Sequence, residues 1–154
     1  LEKLLPERQN YSQIFNATNA FIDLLTFQDE SKNDYWMEGY VKWEIGVLSS
    51  IGFSLDLNRC AVTGSDTNLL FVSPKTGKAV SKEGAGRHAP RLLLLPSFLG
   101  GDNVIGSNFY KEILAGLNIT SYFFKNKLLL SINTNKPINL PNPRIRFVEL
   151  IEKL

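Results

Sequence analysis

The chain has 154 residues, of which 44% are hydrophobic and 21% charged. That composition reads as one soluble domain able to bury a core, and with no low-complexity tract no disorder need be invoked. A single cysteine excludes an intramolecular disulfide, and no apolar run is long enough to span a bilayer, since Leu92-Leu93-Leu94-Leu95 stops at Pro96. The net charge of +2 hides an asymmetry: residues 1–58 carry nine acids against four bases, residues 59–154 thirteen bases against six acids. The second part is therefore the one expected to face a polyanion. With no signal peptide the protein is expected to be cytoplasmic, and a chain opening at Leu1 is expected to be a piece of a longer one.

Residues 10–28 are predicted to form a first helix, with Ile14, Ala17, Phe21 and Leu24 on one face and Asn10 or Ser12 placed to accept its free amides. Ser31-Lys32-Asn33-Asp34 resembles a capping signal for a second helix reaching Ile51, along which Trp36, Tyr40, Trp43, Val47 and Ile51 recur at helical spacing. Gly52 then provides a stop just past the helix end. Glu38 lies four residues before Lys42, an exposed pair worth ~0.3 kcal/mol that puts Lys42 at the solvent edge of the stripe. Trp36, Tyr40 and Trp43 read either as core or as a stacking platform for bases, and aromatics at helical spacing are usually core.

Past Asn58 the period changes. Leu69-Leu70-Phe71-Val72 and Lys78-Ala79-Val80-Ser81 flank Ser73-Pro74-Lys75-Thr76-Gly77, a hairpin pattern in which Pro pre-sets the turn and Gly closes it. Just upstream, Cys60-Ala61-Val62-Thr63-Gly64 has the outline of a C-x-x-C-G metal knuckle, in which two thiolates share a tight turn and backbone amides face the sulfurs. Only Cys60 remains. One Cys and one His are too few for a usual structural zinc site, so no metal is expected. A small hairpin is marginal alone, and without zinc its support is expected from Cys60, Val62, Leu70 and Val72 packed against the helices.

Gly84-Ala85-Gly86-Arg87-His88-Ala89-Pro90 reads as a loop. Around it Lys75, Lys78, Lys82, Arg87 and Arg91 are opposed only by Glu83, a patch that either holds phosphate or keeps the surface soluble. Arg91–Leu95 and Pro96–Leu99 read as short helical or extended pieces before Gly100-Gly101. Three further helices are predicted, over 106–117, 120–132 and 142–153, the last after a Pro-rich linker. Arg144 and Arg146 either bind phosphate or flank that helix. The fold class is thus mainly α, a helical domain with a small β-hairpin insertion, read as one domain over 1–154. Its parts are a first helical stretch (1–58), the hairpin and basic loop (59–90) and the C-terminal helices (91–154).

No enzyme signature emerges. Cys60 and His88 are the sole conceivable nucleophile pair and lack an identifiable orienting acid or oxyanion motif, so a packed, inert thiol is the ordinary reading. Gly84-x-Gly86-x-x-Ala89 fits a relaxed dinucleotide fingerprint, but Pro90 follows and no long helix opens there. A P-loop is absent, and the acids form no D-x-D or E-x-x-H cluster for a metal. Neither catalysis nor a cofactor is expected.

Several motifs together resemble the C-terminal part of the bacterial recombination mediator family RecO. They are Lys42-Trp43-Glu44 with Leu48, then Ile51-Gly52-Phe53-Ser54-Leu55-Asp56-Leu57 running straight into the knuckle. Leu4-Leu5-Pro6-Glu7-Arg8 is similar to the start of the family's helical region, and Gly116–Phe123 to a later helical segment. The family's zinc-binding members have a second C-x-x-C after the hairpin, where this chain offers Ser81 and Gly84; metal binding is therefore not carried over. The resemblance implies a non-enzymatic role in DNA repair and strand annealing. It also implies an N-terminal OB-fold module outside this chain, and three kinds of partner. These are the acidic C-terminal tail of single-stranded-DNA-binding protein, RecR, and single- and double-stranded DNA, bound weakly by this part. On that reading Lys42 meets the tail, and Lys75, Lys78, Lys82, Arg87 and Arg91 meet DNA phosphates. The alternative is a protein-interaction scaffold without nucleic-acid affinity of its own.

Overall fold

The structure, a computed structural model, describes residues 11–26, 34–102, 108–131 and 140–154. The chain divides between Ser54 and Leu55 into two compact units.

In the first unit, α1 (Ser12–Thr26) packs on α2 (Trp36–Ser50). The predicted helices are present; Ser31, Lys32 and Asn33 of the expected capping signal lie outside the described residues. Tyr35 stands at the N-cap of α2 with no side-chain cap bond. The stripe that α2 buries is rotated from the expected one: Met37, Val41, Glu44, Val47 and Leu48 are buried, whereas Trp36, Tyr40, Trp43 and Ile51 are half-buried. The reason lies on α1. Phe21 stacks with Trp43 at 6.1 Å between ring centres and meets Tyr40 at 5.9 Å, and Trp43 Nε1 donates to Thr18 Oγ1 at 3.0 Å. The aromatics thus join the two helices, each close pair adding ~0.5–1.5 kcal/mol beyond simple burial.

The end of α2 is a complete Schellman closure. Gly52 at φ +92° donates from its amide to Ser49 O at 3.0 Å, and Phe53 N donates to Leu48 O at 2.8 Å. These two bonds satisfy carbonyls that a helix end leaves open, and the positive φ favours glycine.

The second unit is built around a three-stranded antiparallel sheet of order β2-β1-β3. The predicted hairpin forms from β1 (Leu69–Val72) and β2 (Ala79–Ser81), in register Val72 to Ala79, with Ser73 N donating to Lys78 O at 2.9 Å across the turn. The third strand, β3 (Leu93–Leu94), pairs with β1 through Phe71–Leu94 and Val72–Leu93. Farther along, Asp102 N donates to Leu69 O at 2.8 Å while Asp102 Oδ2 accepts from Leu69 N at 3.0 Å. On the other side of β2 the segment after Leu55 runs alongside: Ala79 N donates to Asp56 O and Ala61 N to Ala79 O, both at 2.8 Å.

Where a loop was expected at Gly84–Pro90, the chain makes one helical turn, α3 (Lys82–Ala85), and a 3-10 stretch over Gly86–Arg91. Ser81 starts it by accepting from Gly84 N at 3.1 Å, a local cap that the glycine-rich composition concealed. The two helices predicted over 106–117 and 120–132 are a single one, α4 (Phe109–Ser131). Asn118 and Thr120 are poor helix formers in isolation, but Thr120 is fully buried and its Oγ1 accepts from Arg144 at 2.9 Å. Ile113, Leu117, Ile119 and Phe123 of α4 are buried, as are Val72 and Leu95, each contributing ~1.5–3 kcal/mol of hydrophobic stabilisation. The last helix, α5 (Asn142–Ile151), docks on α4 through Arg144, whose guanidinium donates to Ser121 Oγ at 2.8 Å, Thr120 Oγ1 at 2.9 Å and Leu117 O at 3.3 Å.

Candidate partner and nucleic-acid surfaces

The Cys60 knuckle folds as a tight turn, with Gly64 N donating to Cys60 O at 2.9 Å and Cys60 N to Ser65 O at 2.7 Å. The amides of Val62 and Thr63 both lie 3.4 Å from Cys60 Sγ and donate to it. Ser81, at the end of β2, brings its hydroxyl to 3.5 Å from that of Thr63. Burial pushes the Cys60 thiol up, but side-chain and backbone hydrogen bonds from Ser81 and Thr63 outweigh it and lower the thiol to about 6. His88 is exposed and does not figure among the groups bonded to the sulfur. Val62, expected in the core, is 68% exposed, because the knuckle aims its 62 amide, not its 62 side chain, at the sulfur. Cys60 and Val72 are buried as expected, and Leu70 is half-buried.

The five basic candidates on the second unit are all exposed. The sheet register separates them. Lys75 and Lys78 lie at the turn of the hairpin, and Arg91 approaches the same end, because β3 enters beside Val72 rather than beside Leu69. Lys82 lies at the opposite end, where β2 passes into α3, about 10 Å of strand away. Arg87 sits within the 3-10 stretch that leads back from that end. Lys78 Nζ is 3.9 Å from Asp56 Oδ2, both half-exposed, an ion pair that screens part of its charge. Of the two arginines that sequence left open, Arg144 is buried and bonded into α4, while Arg146 is exposed.

Lys42 is exposed on α2, with Nζ 3.9 Å from Glu38 Oε2. Trp43 and Tyr40 beside it are committed to α1. In the second unit lies a feature that sequence reasoning missed: an apolar cleft of about 400 Å³ between β3 and α4, lined by Leu92, Leu93, Leu94, Leu114 and Ala115, with Lys111 and Asn118 at its rim. Leu94 is 42% exposed there. The signal was the spacing of Lys111, Leu114, Ala115 and Asn118 on one face of a helix, together with an uncovered leucine run. It was hidden by the expectation that the helix ended near residue 117. Among the described residues no helix is long and apolar enough to cross a membrane, and no three His, Cys, Asp or Glu side chains gather where a metal could sit.

The fold is mainly helical, and its second unit carries a small sheet, a cysteine knuckle and a basic hairpin. Residues 1–136 match the family described as Recombination protein O C terminal. The chain is 39% identical over 140 residues to the DNA repair protein RecO of Wolbachia pipientis subsp. Culex pipiens, covering 89% of this chain and 56% of that protein. Identity is 38% to the protein of that name from Ruegeria sp. TM1040, with 97% and 57% covered, and 40% to that of Cereibacter sphaeroides ATCC 17029, with 99% and 59% covered. The chain belongs to the RecO family. It spans a little over half the length of these curated relatives, and no solved structure matches it significantly.

Proposed function

We propose that this chain is the helical part of a cytoplasmic DNA-repair accessory protein that makes and breaks no covalent bond. It acts by contact: one surface holds a partner's acidic tail while basic side chains attract DNA phosphates and RecR joins the assembly. The observation that carries the reading is the cleft between β3 and α4. An apolar trough with a lysine on its rim suits a C-terminal peptide with an aromatic tip and a free carboxylate, such as the tail of single-stranded-DNA-binding protein. The ring would replace water against Leu93, Leu94 and Leu114, and Lys111 would meet the terminal charge. Lys42, on the first unit, is the sequence-based candidate for the same contact.

A fluorescence titration of a labelled acidic, Phe-terminated tail peptide tests this. Lys111→Ala is expected to weaken binding by a few-fold, mainly through slower and more salt-sensitive association, the effect of removing an exposed rim charge, with Lys42→Ala at wild-type affinity. Loss of binding in Lys42→Ala alone would move the tail to α2. A folded wild-type chain that binds no peptide would refute the tail reading. The division of the basic residues between two ends of the hairpin favours a second reading, a protein-interaction scaffold whose lysines serve solubility.

A further inference from the structure

Positions 60, 63, 81 and 84 converge on one point from two turns. The members of each pair are three positions apart, with two residues between them, the spacing with which metal knuckles present two ligands from a turn. Here the four positions hold one thiol, two hydroxyls and a glycine. Neutral hydroxyls do not replace the thiolate, imidazole or carboxylate that zinc requires, so this donor set does not fit the metal bound by some members of the family. The geometry disagrees as well. In this chain a Cβ placed on Gly84 would lie 2.8 Å from Cys60 Sγ and 3.3 Å from Ser81 Oγ. The sulfur has taken the space that a ligand side chain at 84 would need.

We propose that the knuckle is closed by a hydrogen-bonded cluster in place of a metal. Cys60 Sγ is the central acceptor, held by the Val62 and Thr63 amides at 3.4 Å. Ser81, fully buried, bridges to Thr63 Oγ1 and accepts from Gly84 N. Gly84 is required because it leaves the sulfur its room. The cluster does mechanically what zinc does in a knuckle: it ties the turn after Leu57 to the end of β2 and so holds one side of the sheet.

The test combines elemental analysis of the purified chain, thermal unfolding with and without a strong chelator, and two variants. The expected result is substoichiometric zinc, an unchanged Tm with chelator, and a Tm lowered by roughly 2–4 °C in Ser81→Ala, the loss of about one buried hydrogen-bonding group. Thr63→Val, at an exposed position where folding is not at risk, is expected to lower Tm by a smaller margin. One zinc per chain whose removal lowers Tm would overturn the proposal. So would Ser81→Ala and Thr63→Val that both melt like wild type.

Discussion

Arg144 and Arg146 lie two residues apart on one helix and meet opposite fates. Arg144 is buried and spends its donors on α4, while Arg146 faces solvent. Sequence counts them equally as charge; only the register of α5 on α4 distinguishes them, and that register is set by residues more than twenty positions away. Cys60 was more legible, because the turn of a knuckle is written in its own five residues. What those residues did not contain was the partner half, Ser81 and Gly84, which a hairpin folds back onto the sulfur. The cluster makes a pH dependence. The folded thiol lies near 6, below its ordinary value of 9.0, so the thiolate is the form that folding favours. Its contribution is fully present above pH 9 and is lost as pH falls through 6, with a slope of up to about 1.4 kcal/mol per pH unit between. Urea unfolding at intervals from pH 9.5 to 5.5 is expected to show wild type losing stability relative to Cys60→Ala as the medium is acidified. A constant difference would mean that the thiol titrates alike in both states.

At the scale of elements, the helices were readable from periodicity and the hairpin from its Pro and Gly. Besides the α3 turn found where a loop was expected, three features were not. The buried stripe of α2 is displaced because apolar residues lie on two adjacent faces, and the aromatics on α1 decide which face they join. The continuity of α4 was masked by poor helix formers, of which Thr120 is held by burial and by the bond it accepts from Arg144, a packing effect with no local signature. A strand of two residues, β3, has no period to detect. The end of α2, by contrast, followed directly from Gly52. Its φ of +92° makes Gly52→Ala costly without altering any packed side chain, since nothing lies within 4 Å of the added Cβ. The expected loss is ~1–2 kcal/mol, measured by denaturant unfolding. A neutral substitution would show that the Schellman closure does not set the end of α2.

Over the whole chain, the charge asymmetry persists across the division into two compact units: residues 1–54 carry eight acids against four bases, residues 55–154 thirteen bases against seven acids. If the hairpin end contacts phosphate, Lys75, Lys78 and Arg91 act together and Lys82 acts apart. Replacing the first three with Ala is expected to reduce the slope of log K against log salt for single-stranded DNA by about 2, at ~0.7 per phosphate contact. Lys82→Ala should change it by less than about 1. Unchanged slopes would assign all four to solubility. The hairpin and its knuckle lie within residues 60–84, whereas the outer edge of β1 is paired by Leu93, Leu94 and Asp102 from farther along the chain. Without that pairing Leu69-Leu70-Phe71-Val72 would be an open strand edge, the kind that recruits other chains. The few residues from Leu93 to Asp102 thus double as a guard against self-association.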